Sequence, residues 1–212
     1  MINRSRKRDA RLGMAALVIW IGLAASILIP LLIAAQSPLL EWRDPVYIVA
    51  GFAGIVAMTI LLMQPLFAGG YLAGVRGSGG RRIHRWMGGG LLFTVVLHVA
   101  GLWLTSPPDV IDALLFRSPT PFSVWGVIAM WALFATALLA ALRQRLKLGR
   151  SLWRLLHALL ATVVVMGTVI HALQIEGTMG NMSKTLLCLL VIGTTGWTIF
   201  DLRSWHYLRR RR

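Results

Sequence analysis

Residues 82–104 read RIHRWMGGGLLFTVVLHVAGLWL, and residues 153–174 read WRLLHALLATVVVMGTVIHALQ. Each stretch opens with basic residues, runs on without charge, and carries two histidines fourteen positions apart: His84 and His98 in the first, His157 and His171 in the second. Fourteen residues of α-helix rise about 21 Å and turn about 1400°, returning the side chain to within about 40° of its starting face. What four such imidazoles can do depends on whether the two stretches are helices running the same way.

The rest of the chain settles their environment. Of its 212 residues, 57% are hydrophobic and only 14% charged, against about 25% charged in ordinary soluble domains. Mean hydropathy is +0.72. This excludes a disordered chain, a coiled coil and a soluble helical domain, because too little polar surface remains to cover such a core. Charged residues divide the sequence into uncharged runs at 12–40, 45–75, 86–108, 118–142, 155–175 and 185–200, of 29, 31, 23, 25, 21 and 16 residues. A membrane helix needs about 20 apolar residues. Five runs suffice, and the sixth does so if Lys184 and Arg203 snorkel from its ends. We therefore read an all-α, polytopic six-transmembrane-helix bundle. It forms a single domain over 1–212, with spans at about 13–34, 46–68, 84–104, 122–142, 153–174 and 184–203. Pro30 kinks the first span, which is read as a mature helix rather than a cleaved signal peptide.

Charge sets the orientation. The chain has 22 Lys+Arg, 7 Asp+Glu and a net charge of +15. Nineteen of the basic residues fall on one side, in the N-terminus, the 69–85 loop, the 143–154 loop and the tail from Arg203 onward. Lys/Arg excess marks the cytoplasmic side, so both termini are expected there, with the basic clusters against anionic lipid rather than nucleic acid. The link Arg76-Gly77-Ser78-Gly79-Gly80-Arg81-Arg82 reads as a flexible cytoplasmic linker. The stretch from Val110 to Phe116, between Pro107-Pro108 and Pro119, reads as a short helix on the outer membrane surface. There is no G-x-G-x-x-G or P-loop. Cys188 is the sole cysteine, so intramolecular disulfides and C-x-x-C motifs are excluded.

In this topology the third and fifth spans are parallel. His84 can lie level with His157, and His98 level with His171, in two rows about 21 Å apart along the membrane normal. Two rows of paired imidazoles suit two stacked b-type hemes between these spans, each held by one histidine from each. Zinc would want three or four ligands, and no Cys, Asp or Glu joins either row. A single membrane histidine also serves as a polar packing group or in a proton path, and a small proton-coupled transporter without heme is the rival reading. Gly88, Gly89, Gly90, Gly101 and Gly167 are expected to leave room for a flat macrocycle or to permit close helix packing. Arg81, Arg82, Arg85 and Arg154 are candidates to pair with propionates at the cytoplasmic level, where topology alone also places arginines. Leu91 and Val164 would fill the space between hemes, with Trp125, Trp131 or Phe134 a candidate aromatic bridge. His206 reads as interfacial. Gln174, Glu176 and Thr105 lie at the outer mouth.

The segments from Arg82 to Gly88 and from Trp153 to His157, with His98 and His171, resemble the paired-histidine helices of the ferric reductase-like transmembrane domain family. That family includes eukaryotic ferric reductases, NADPH oxidase membrane domains and the bacterial heme subunit of the periplasmic methionine sulfoxide reductase system. The resemblance implies a bacterial inner-membrane oxidoreductase component, with an inner heme on His84 and His157 and an outer heme on His98 and His171. Electrons would enter from a cytoplasmic reduced flavin or flavoprotein and leave to ferric chelate, quinone, oxygen or a partner protein outside. The large oxidases' fused nucleotide domain is not seen in this sequence, so a separate donor is implied, with FMN or FAD bound at the cytoplasmic face or on a partner. Two further readings stay open: the heme subunit of a two-component periplasmic reductase, and a quinol-linked cytochrome resembling the b561 type.

Overall fold

The computed structural model describes the backbone of residues 2–75 and 77–209, and the side chains of residues 13, 14, 16–75 and 77–202. His206, Arg203 and the basic residues of the two ends lie outside the described side chains. Among the described residues seven α-helices follow one another: α1 (Ile2–Ala35), α2 (Pro45–Gly69), α3 (Gly77–Thr105), α4 (Pro107–Leu114), α5 (Pro121–Leu142), α6 (Arg150–Gln174) and α7 (Asn181–Arg209). All but α4 contain a stretch long and apolar enough to cross a membrane. A 25-residue helix such as α2 or α6 is about 37 Å long, enough for a hydrocarbon core of about 30 Å. The protein is an all-α, multi-pass membrane protein.

Helix starts follow local chemistry. Asp44 caps α2 by accepting a hydrogen bond from the Val46 amide at 2.7 Å, and Pro45 takes the first helical position, where a missing N–H costs nothing. Pro107 and Pro121 open α4 and α5 in the same way. Gly70, at φ 70°, ends α2 in the left-handed conformation. The short helix expected after Pro107-Pro108 is present as α4, with Asp109 in its first turn accepting from the Ser106 hydroxyl at 2.6 Å.

Two expectations are corrected. The 77–82 stretch is not a linker: α3 begins at Gly77. Gly80 is buried, and a Cβ there would stand 2.8 Å from the Phe67 carbonyl oxygen, so the glycine lets α3 close directly onto the end of α2. Nor does Lys184 snorkel. It is buried, and its Nζ turns back to donate to the Ile175 carbonyl at 2.6 Å, capping the end of α6.

The most extensive helix pairings are α2 with α3 and α5 with α6. Helix α7 packs against both α2 and α6, while α1 lies at the periphery against α2 and α7. Leu61, Leu62, Leu91, Val164, Leu187 and Val191 belong to one buried apolar cluster. By contrast Trp86, Phe93 and Leu104 on α3 are more than two-thirds exposed, as residues facing lipid would be. Helices α3 and α6 themselves make at most marginal backbone contact, and side chains such as Leu91 and Val164 lie in the core they share.

Candidate functional site

The four histidines lie on α3 and α6 in two rows. At one level His84 and His157 face each other, ring centroids 6.1 Å apart and planes at 77°. At the other, His98 and His171 lie within electrostatic range of each other. Both α3 and α6 hold their histidines fourteen residues apart, as helix periodicity allows.

Backbone carbonyls orient the rings. His98 Nδ1–H donates to the Ala50 carbonyl at 2.7 Å, His171 Nδ1–H to the Phe122 carbonyl at 2.8 Å, and His84 Nδ1–H to the Gln64 carbonyl at 3.1 Å. A carbonyl oxygen only accepts, so each Nδ1 carries the proton and each Nε2 keeps its lone pair. That is the ligand tautomer, with the bonded Nδ1–H raising the donor strength of the other nitrogen. The antiparallel pairing of α2 and α3 explains the positions: a step of fourteen residues from His98 back to His84 matches a step of fourteen from Ala50 forward to Gln64.

Two glycines that sequence reasoning passed over make room for these rings. A Cβ on Gly54 would stand 3.1 Å from His98 Nδ1, and one on Gly126 would stand 2.8 Å from His171 Nδ1. Each glycine lies four residues after the carbonyl that its histidine uses, one helical turn along the same face. That shared offset is the only sequence signal that could have found them, and it is visible only once the acceptors are known. Phe122 also meets the His171 ring edge-on at 5.8 Å.

The glycines singled out from the sequence behave differently. Gly101 packs α3 on α2, where a Cβ would come within 2.7 Å of the Ala50 Cβ. Gly167 packs α6 on α5, with a Cβ 3.0 Å from both the Ala129 Cβ and the Trp125 carbonyl. Both therefore serve helix packing. Among the described residues a Cβ on Gly89 would meet nothing within 4 Å, and those on Gly88 and Gly90 only loose neighbours. Leu91 and Val164 are both buried. Trp131 and Phe134 meet each other edge-on at 5.7 Å, and among the described residues neither has a ring contact with a histidine. Arg81, Arg82, Arg85 and Arg154 are all exposed at the ends of α3 and α6 nearest His84 and His157. Thr105 bonds back to the Gly101 and Leu102 carbonyls, while Gln174 and Glu176 are exposed.

Among the described residues no three His, Cys, Asp or Glu side chains converge as a cluster for a metal ion. Pairs of imidazoles are a different donor set. Metal–imidazole bonds are about 2.0–2.1 Å long, and two opposed ones, with the ring radii, are of the scale of the His84–His157 separation. The residues present fit a group that would take one imidazole nitrogen from each of two helices.

Fold and site together define a multi-pass helical membrane protein with paired histidines on two facing helices. The pattern of the ferric reductase like transmembrane component family matches residues 50–168, more than half of the chain, and the protein belongs to that family. The match runs from the His98 acceptor Ala50 through His157 and stops three residues short of His171. Comparison with curated proteins and with solved structures returns no match.

Proposed function

We propose that the protein carries electrons across the membrane from a cytoplasmic flavin or flavoprotein donor to an acceptor outside. It would use two b-type hemes, one ligated by His84 and His157 and the other by His98 and His171. The observation that carries this reading is the set of Nδ1–H bonds to the Gln64, Ala50 and Phe122 carbonyls, which leave Nε2 free on three of the four facing imidazoles. Heme supplies one-electron redox chemistry at its iron when bound. The chain supplies the axial nitrogens, fixes their planes through backbone carbonyls, and keeps water out with residues such as Leu91 and Val164. Family membership supports a redox role in general.

Orientation rests on charge. Nineteen of 22 basic residues lie on the side of His84 and His157, so that row is assigned to the cytoplasmic half and both termini to the cytoplasm, in a bacterial inner membrane. Arg81, Arg82, Arg85 and Arg154 would offer charge-assisted hydrogen bonds to propionates at that level. We read 1–212 as one membrane heme domain served by a separate electron donor, with an acceptor among ferric chelate, quinone, oxygen or a partner protein. The pyridine hemochrome ratio of the purified protein tests the reading. It should give about two hemes per chain, counting one per histidine pair. A ratio near one would leave a single-heme, flavin-assisted variant, and a ratio near zero would favour a transporter and reject the reading.

A further inference from the structure

The two histidine-bearing hairpins, α2–α3 and α5–α6, repeat one design with a single break in it, and what the break does rests on the proposed heme ligation. In each hairpin a carbonyl on the first helix accepts from the histidine nearer the outer loops, over a glycine one turn on: Ala50 and Gly54 for His98, Phe122 and Gly126 for His171. Fourteen residues further along α2, the Gln64 carbonyl accepts from His84. The same step along α5 leads from Phe122 to Thr136. Yet His157 Nδ1 is buried and has no hydrogen-bond partner among the described residues.

The two hairpins differ one turn before each of these two histidines. Before His84 the residue is Gly80, whose missing side chain lets α3 close onto the Phe67 carbonyl. Before His157 it is Trp153. Its ring lies on the His157 imidazole, with centroids 5.3 Å apart and planes within 20° of parallel. The Arg143 guanidinium sits over the indole, 4.8 Å from its centre. His157 is therefore oriented by stacking, where the other three are oriented by a carbonyl.

We infer that Trp153, held by Arg143, is the positioning residue for His157 and makes His157 the weakest donor of the four imidazoles. An imidazole whose Nδ1–H has an acceptor is the more basic ligand and favours the more positive metal state. Without one, His157 stabilises ferric iron less, and its bond is the first to give way to an added ligand.

Two measurements test this, both read as spectra rather than as turnover. Carbon monoxide added to the dithionite-reduced wild-type protein should bind one heme of the two. It should still bind in His98→Ala, which keeps the His84/His157 site. Binding at both hemes, or at neither, overturns the inference. In redox titrations Trp153→Gly copies Gly80 and lets His157 reach the Thr136 carbonyl. It should lower one midpoint potential by a tenfold change in ferric-over-ferrous preference, about 59 mV for one electron, and leave the other in place. Trp153→Phe keeps a stacked ring and should leave both potentials where they were. Unmoved or equally moved potentials in Trp153→Gly also overturn the inference. If that variant does not accumulate, the carbon monoxide result on the wild type decides alone. A hemochrome ratio near zero would fail the ligation reading itself, whereas two hemes with equal carbon monoxide behaviour would fail only the role given to Trp153.

Discussion

Replacing Gly126 with Ala should weaken the heme proposed for the His98/His171 row while leaving the helices intact, and the sizes of the opposing effects can be worked out. The new Cβ would lie 2.8 Å from His171 Nδ1, 2.9 Å from Cε1 and 3.3 Å from Cγ. Ordinary contact begins near 3.5 Å, so the ring must retreat by at least roughly 0.7 Å, away from the Phe122 carbonyl that it meets at 2.8 Å. Losing that hydrogen bond costs about 0.5–1.5 kcal/mol, and residual crowding about 1–3 kcal/mol. Against this, Ala in place of Gly in a helix interior gains about 1 kcal/mol. The balance is a loss of about 0.5–3.5 kcal/mol in the thermal stability of the heme-free protein. Heme affinity at the His98/His171 row should fall about tenfold or more, since 1.4 kcal/mol is one decade. Gly54→Ala meets His98 at 3.1 Å and should show a weaker form of the same defect. Gly193→Ala, with no neighbour within 4 Å, is the control. Heme retention through detergent dialysis, followed by hemochrome assay, reads all three. Wild-type retention in Gly126→Ala would refute the claim that the glycine exists to seat the imidazole.

Three further outcomes are expected. His98→Ala or His171→Ala should each remove one heme and His84→Ala or His157→Ala the other, so that the hemochrome ratio falls from about two to about one; four variants with unchanged spectra would sink the assignment. Gly80→Ala places a Cβ 2.8 Å from the Phe67 carbonyl oxygen, a backbone atom with little freedom to move. It should cost about 1–3 kcal/mol in thermal unfolding and loosen the heme at His84, whereas a stability equal to wild type would contradict close α2–α3 docking there. The Tyr71 hydroxyl, in the link between α2 and α3, donates to Asp201 Oδ2 at 2.7 Å, and burial first, then this bond, push its pKa up to about 12. A folded-state pKa above the ordinary value of about 10 contributes stability that is complete below pH 10 and disappears as pH rises through about 12. Tyrosinate absorbance of the folded protein should therefore show one of the three tyrosines ionising late, and Tyr71→Phe should abolish that late step.

Much of the architecture could be read from charge placement alone. Lys and Arg bracket runs such as 86–108 and 155–175, and a run of that length without charge has no stable home except lipid. The α4 helix was legible as well, because Pro107-Pro108 and Asp109 form a start signal. The 77–82 stretch was not, because glycine favours a linker by local propensity, and only the close approach to Phe67 makes it helical. Lys184 misled for a related reason. A lysine at a helix end usually reaches for water, but here an uncapped carbonyl at Ile175 stood within reach.

The candidate site divides along the same line. Four histidines at equal spacings follow from counting residues, since 3.6 residues per turn fixes which positions share a face. Which carbonyl each imidazole meets depends on how α2 lies on α3 and α5 on α6, and a sequence has no register between helices until they pack. So the spacing of His84, His98, His157 and His171, the six spans and the charge asymmetry belong to the sequence by itself. The seats at Gly54 and Gly126, the packing use of Gly101 and Gly167, and the exchange of a carbonyl for Trp153 beside His157 were decided by tertiary structure. They arise from contacts between residues about 40–50 positions apart, or from a ring that took the place of one, and a backbone acceptor looks the same in every residue type.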